Sequence, residues 1–296
     1  MVYADNNNMN EYENIVLSAQ NVFWVKRDGS RVLVCRAGDL LANARLERFP
    51  KLESEQIISV KKLQEVSNIF SSLESATRPR EKMKIVKTIR ENWTLWFNSH
   101  ESLSALEIIL LSEYLMPKQL KENSSEWSEA SLHLFQRSCF ISTLFTLGTC
   151  ALGYHSWKFL RDAWAISFCL SSHYSKEGMK ASDMKALGDG EVDQNFVEKM
   201  IESVDLKFVG LKQVAARMFE RQSASATPYG LKTEELSDIE RLFAHLESKV
   251  SYLTDFQDYE LKKIWRDDQF KIVHKLYDNN GSDFAVVEDV YLEFGL

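Results

Sequence analysis

The sequence predicts a mainly α protein, a large helical region preceded by a small α+β domain. Three observations predict it. From Lys61 onward apolar residues recur at helical spacing, beginning with Leu63, Val66, Ile69 and Phe70. Before Val60 the pattern is β-rich, with Asn21–Lys26 and Arg31–Cys35 flanking Asp28-Gly29, a hairpin signal. Between Ser138 and Trp157 there is no Asp, Glu, Lys or Arg, which marks a helix at the centre of a core.

The elements follow in order. Residues 1 to about 14 are polar. They carry no basic region and no apolar core, so no signal peptide is expected. After the hairpin, Asp39 is placed to cap a short helix, Leu40 to Phe49, stopped by Pro50. Gln56 to Val60 reads as a further strand. Residues 1–60 form the expected α+β domain. Residues 61–117 form a helical linker region. In it, Pro79 opens a helix at an allowed position, with Met83, Val86, Ile89, Trp93 and Trp96 as its apolar stripe. Leu103 to Met116 is the next helix, ended by Pro117. Residues 118–296 form the main helical domain, with Leu132–Leu152 and Trp157–Ser172 as its most apolar helices.

Composition narrows the function. The chain has 296 residues, 36 basic against 43 acidic, for a net charge of −7. That balance argues against a nucleic-acid partner. Cys35, Cys139, Cys150 and Cys169 are isolated, with neither metal spacing nor a disulfide framework, so a reducing, cytoplasmic setting is expected. The uncharged segment carries Ser142, Thr143, Thr146, Gly148, Thr149, Gly153 and His155. It is too polar for the roughly 20 apolar residues that a membrane span needs.

One stretch resembles a known family. Met218-Phe219-Glu220 is followed, after two residues, by Ser223-Ala224-Ser225-Ala226-Thr227-Pro228, then by Gly230-Leu231. This frame is similar to that of the HD-GYP cyclic-di-GMP phosphodiesterases. They write His-His-Glu, two residues, Asp-Gly-x-Gly-Tyr-Pro, one residue and Gly-Leu. Glu220, Pro228, Gly230 and Leu231 match. Both histidines, the Asp, both glycines and the Tyr are replaced. The resemblance covers roughly residues 118 to 296. It places Ser172-His173 at the family's His-Asp pair, within one residue of register. It places Glu247, after Arg241 and Ala244, at a late metal-binding aspartate. Phe284-Ala-Val-Val-Glu-Asp-Val corresponds to the closing helix. Residues 1–60 resemble the module in front of some HD-GYP domains.

The family's chemistry needs converging His and Asp ligands on two or three metals that activate water. Met and Phe at two histidine positions suit no hard metal. No histidine lies between His173 and His245. The resemblance therefore implies a vestigial active site: Ser172, His173, Met218, Phe219, Glu220, Ser223, Thr227, Pro228 and Glu247. Catalysis, metal and cofactor are expected to be absent, and the old pocket is expected to be packed shut around Phe219. Arg217, Arg221, Lys232 and Arg241 are the candidates for a nucleotide or partner contact.

Three functions stay open. The first is an inactive bacterial signalling protein that acts through protein partners. The second is a metal-free cyclic-di-GMP or nucleotide receptor. The third is a phosphodiesterase with an altered metal site. A homodimer is compatible with each. The basic run Arg78, Arg80, Lys82, Lys84, Lys87, Arg90 reads as a solvated helix face, with an acidic docking partner as the alternative. His133 and Arg137, one turn apart, read as a core or capping pair. His100, His245 and His274 are expected in exposed segments.

Overall fold

The computed structural model describes residues 15–18, 22–35, 40–42, 52–53, 57–59, 61–98, 103–116, 120, 132–176, 192–202, 209–221, 228–250, 261–266 and 268–277. The described residues are mainly helical. The chain divides into two compact units, Met1–Asn68 and Ile69–Leu296.

Among the described residues, the first unit holds six short strands in two antiparallel sheets. In one, β1 (Ile15–Ser18) lies between β4 (Leu40–Ala42) and β6 (Ile57–Ser59). In the other, β2 (Val22–Val25) lies between β3 (Arg31–Cys35) and β5 (Leu52–Glu53). The β2–β3 turn closes on Lys26 and Ser30, with Gly29 at φ +80°. Asp28 Oδ1 accepts hydrogen bonds from Ser30 N at 2.9 Å and Ser30 Oγ at 2.7 Å. Those bonds hold the Asp28 carboxyl below its ordinary range.

The start of the expected helix is corrected here. Leu40–Ala42, expected to begin a helix, is a strand paired with Ile15–Leu17. No helix is found before Lys61 among the described residues. Three consecutive apolar residues can close a ladder with a neighbouring strand, and that outweighs a single N-cap candidate. The rest of the expected helix, to Phe49, lies outside the described residues.

The second unit is built around one helix. α1 (Lys61–Ser75) runs across the division and buries Phe70 and Leu73. α2 (Pro79–Asn98) starts on its proline and buries Val86, Ile89, Trp93, Trp96 and Phe97. Met83, expected on that stripe, is 39% exposed, so the buried face begins at Val86. α3 (Ala105–Leu115) opens on a reciprocal cap: Glu107 N donates to Ser104 Oγ at 3.2 Å, and Ser104 N donates to Glu107 Oε2 at 2.8 Å. α2 and α3 both pack on the central helix α4 (Leu132–Ala151), so residues 79–115 contribute to the body of this unit.

From Arg137 to Ala151 every side chain of α4 is buried. Two of its hydroxyls bond within the helix: Ser138 Oγ donates to Leu134 O at 2.6 Å, and Thr146 Oγ1 to Ser142 O at 2.8 Å; Thr143 Oγ1 accepts from Trp164 Nε1 of the next helix at 3.4 Å. This is how an uncharged, partly polar segment sits inside a core. No helix among the described residues is long and apolar enough to cross a membrane.

After Gly153, at φ +111°, the chain returns as α5 (Trp157–Lys176), the main partner of α4. α6 (Gln194–Glu202), α7 (Val209–Ala216), α8 (Asp238–Val250) and the short α9 (Val273–Tyr277) follow. α8 crosses α4, where Phe145 stacks on Phe243 with centroids 4.5 Å apart. Trp93, Phe97, Trp265 and Tyr277 form a second aromatic cluster where α2 meets the chain after α8.

Candidate functional site

The frame singled out in the sequence lies just past the end of α7. The helix ends at Ala216, and Arg217-Met218-Phe219 form tight turns in which Met218 N donates to Ala215 O and Glu220 N to Arg217 O. Met218 and Phe219 are both wholly buried. An aromatic ring and a thioether at these places take apolar surface from water, and neither offers a donor to a hard metal.

Glu220 is also buried, at 1% exposure. Its two oxygens are in use: Oε1 accepts from Tyr229 N at 2.9 Å and Oε2 from Leu231 N at 2.8 Å. The carboxylate thus pins the Pro228–Leu231 turn, in which Gly230 takes φ +64°. That left-handed conformation explains a glycine at this position. Desolvation pushes the Glu220 carboxyl above the ordinary range. The two amides, Arg221 and Arg217 pull against it. Tyr229 is displayed on the turn, 37% exposed. Burial, with Glu198 and Glu220 nearby, raises its phenol.

The candidate cations have partners. Arg217 Nη1 donates to Glu240 Oε1 at 2.8 Å, and Glu240 is itself buried. Arg221 is 5% exposed and donates through Nη1 to the carbonyls of Met218 and Glu220. Arg241 Nε donates to Thr233 O at 2.8 Å, and its Nη1 lies 3.8 Å from Asp238. Lys232 is exposed; its amide donates to Glu235 Oε2. The structure thus joins Arg217, Met218, Phe219, Glu220, Arg221 and the 228–231 turn into one knot against the start of α8.

The other expected site residues fall elsewhere. His173, on α5, is half-buried, with its ring 6.5 Å from that of Phe196 on α6. Glu247 is wholly occluded on α8 and bonded to Arg137 of α4. The side chains of Ser172, Ser223 and Thr227, and that of His133, lie outside the described residues, as do His100 and the segment 284–290. Among the described residues no group of three or more His, Cys, Asp or Glu side chains could hold a metal.

Two features were missed in the sequence. His245, expected on an exposed segment, is fully buried. Its Nε2 lies 2.7 Å from Ile264 O, which can only accept, so the ring is the Nε2–H tautomer. The ring stacks on Trp265, with centroids 5.8 Å apart, and meets Phe270 edge-on. Burial lowers its pKa to about 4. Its apolar neighbours Phe243, Ala244 and Leu246 were the available signal. The second is the start of α8. Ser237 N and Oγ both donate to Glu240 Oε2, from a Ser-x-x-Glu signature readable in the chain. No protein-family model, curated protein or solved structure matches this chain.

Proposed function

We propose that the chain is a catalytically inactive, HD-GYP-like regulatory protein that works in the cytoplasm through contacts with protein partners. The observation that carries this reading is the burial of Met218 and Phe219 at the two places where the resemblance expects metal-binding histidines. The surrounding chemistry supports it. Glu220 serves the backbone of its own turn, and Glu247 serves Arg137. Arg217, Arg221 and Arg241 already bond protein groups, which disfavours the nucleotide-receptor reading.

Elemental analysis of the untagged protein, with a cyclic-di-GMP hydrolysis assay, tests the loss of chemistry. The expected result is no stoichiometric transition metal and no turnover. Bound metal together with hydrolysis would overturn the reading. Calorimetric titration with cyclic-di-GMP separates the receptor from the scaffold: saturable binding would favour the receptor. Recovery of specific partners from the native cell is the positive result that the scaffold reading requires.

A further inference from the structure

We propose that Tyr229 and Glu198 together form a recognition site for an arginine side chain carried by a basic protein partner. The inference rests on the reading that the chain works through protein partners, and it names one contact of that kind.

The first observation is how the Tyr229 turn is held. Taking a carboxylate out of water is costly unless it is well bonded. Glu220 is buried, and the amides it binds belong to Tyr229 and Leu231 of a surface turn. The chain just past the turn is held too. Lys232 N donates to Glu235 Oε2 at 2.7 Å, and Thr233 O accepts from Arg241 Nε at 2.8 Å. All four bonds use backbone groups of residues 229–233, so the Tyr229 side chain takes no part in them. Its ring is displayed instead, 37% exposed. A Cβ built on the adjacent Gly230 would meet nothing within 4 Å, so the approach beside the ring is open. An aromatic on a turn already fixed loses little freedom on binding, and tyrosines are among the side chains that carry most interface energy.

The second observation is charge. Burial, then Glu198 and Glu220, raise the Tyr229 phenol, and Arg217 opposes them. Arg217 is already paired with Glu240. Glu198 is exposed on α6, where Gln194 Nε2 donates to its Oε1 at 2.6 Å and steadies it. Glu202 is exposed one turn further along the same helix, and Lys199 is turned about 100° away from Glu198 around it. After the turn, the exposed Lys232 is followed by Glu234 and Glu235, both exposed. A ring with a negative face beside a carboxylate selects a cation. A guanidinium fits both parts, because its plane lies flat on the ring while its forked N–H donors meet the carboxylate. A lysine ammonium is compact and strongly hydrated, so it suits the ring less well.

Photo-cross-linking tests this. Tyr229 is replaced by p-benzoylphenylalanine in the full chain, in its native cell. The turn is held through its backbone, so the thermal midpoint should not change. A second probe at Lys232 covers the case in which the first disturbs the fold. The expected result is capture of a protein other than this chain, with an arginine in or beside the cross-linked peptide. Adding Glu198→Arg should lower the yield about tenfold or more through like-charge contact. Replacing that arginine of the partner by glutamate should then restore it. No capture from either position, a captured peptide without arginine, or a yield that Glu198→Arg leaves unchanged would each overturn the proposal. Capture of a second copy of this chain would overturn it in favour of self-association. Partner recovery with the unaltered chain keeps the two readings apart. Recovery without capture at the turn sinks only this contact, whereas failure of recovery sinks the scaffold reading itself and this contact with it.

Discussion

Arg137 and Glu247 form an ion pair inside the core. Arg137 Nη2 lies 2.5 Å from Glu247 Oε2, and each side chain is 1% exposed. The pair joins α4 to α8, the two helices that also meet through Phe145 and Phe243. Desolvating two charges offsets most of their attraction, so such a pair contributes little net stability over an apolar one. Losing one partner is a different matter, because the other charge stays buried.

Glu247→Ala is therefore expected to destabilise the fold by about 3–5 kcal/mol. The double variant Arg137→Met, Glu247→Leu should recover most of that loss. Urea melts of the three proteins decide it. A single-variant loss below about 1 kcal/mol would mean that water reaches the arginine.

The same helix pair meets closely at Gly148. A Cβ added there would lie 2.7 Å from Leu242 Cδ2, and Leu242 is fully buried. Gly148→Ala should cost about 1–3 kcal/mol through overpacking, although alanine gains about 1 kcal/mol in helix propensity. In thermal melts, Leu242→Ala should partly rescue the variant. Stabilisation by Gly148→Ala alone would show that Leu242 moves freely.

His245 makes stability depend on acid. Its folded-state pKa is lowered from 6.5 to about 4 by burial, against the pull of Ile264 O and Asp268; Lys249 and Arg221 lower it further. The unfolded chain therefore takes up the proton first. The stabilising term is present above about pH 6.5 and is lost as pH falls toward 4, on the order of 3 kcal/mol in all. Glu220 acts with the opposite sign. Its raised pKa favours the folded state below the unfolded value of 4.5, and that advantage disappears as pH rises through the folded pKa. Denaturant midpoints measured from pH 7 to 4 should fall steeply for the wild type and less for His245→Gln. Equal slopes would remove His245 as the cause.

Phe219→Ala tests how tightly the knot after α7 is filled. A wholly buried ring should cost about 3–5 kcal/mol on truncation, because the cavity closes only in part. A loss below about 1 kcal/mol in urea melts would mean an open, wet pocket, and the receptor reading would move ahead of the scaffold.

The sequence by itself determined what is periodic and local. The apolar rhythm after Lys61 marks the helices, Pro79 marks the first residue of α2, and Asp28-Gly29 marks a turn between β2 and β3. Burial of the uncharged stretch also followed, because its hydroxyls can bond the preceding turn of their own helix. The tertiary structure decided what depends on distant partners. Leu40–Ala42 became a strand because Ile15–Leu17 lies beside it. Met83 stayed outside because the stripe on α2 finds its neighbours only from Val86 onward. His245 went inside because Ile264 and Trp265 cover it. Arg137 and Glu247 stand 110 positions apart, and neither carries a local mark of the other. Pairing across such a separation is set by how helices pack, and packing depends on the whole set of side chains rather than on any one segment.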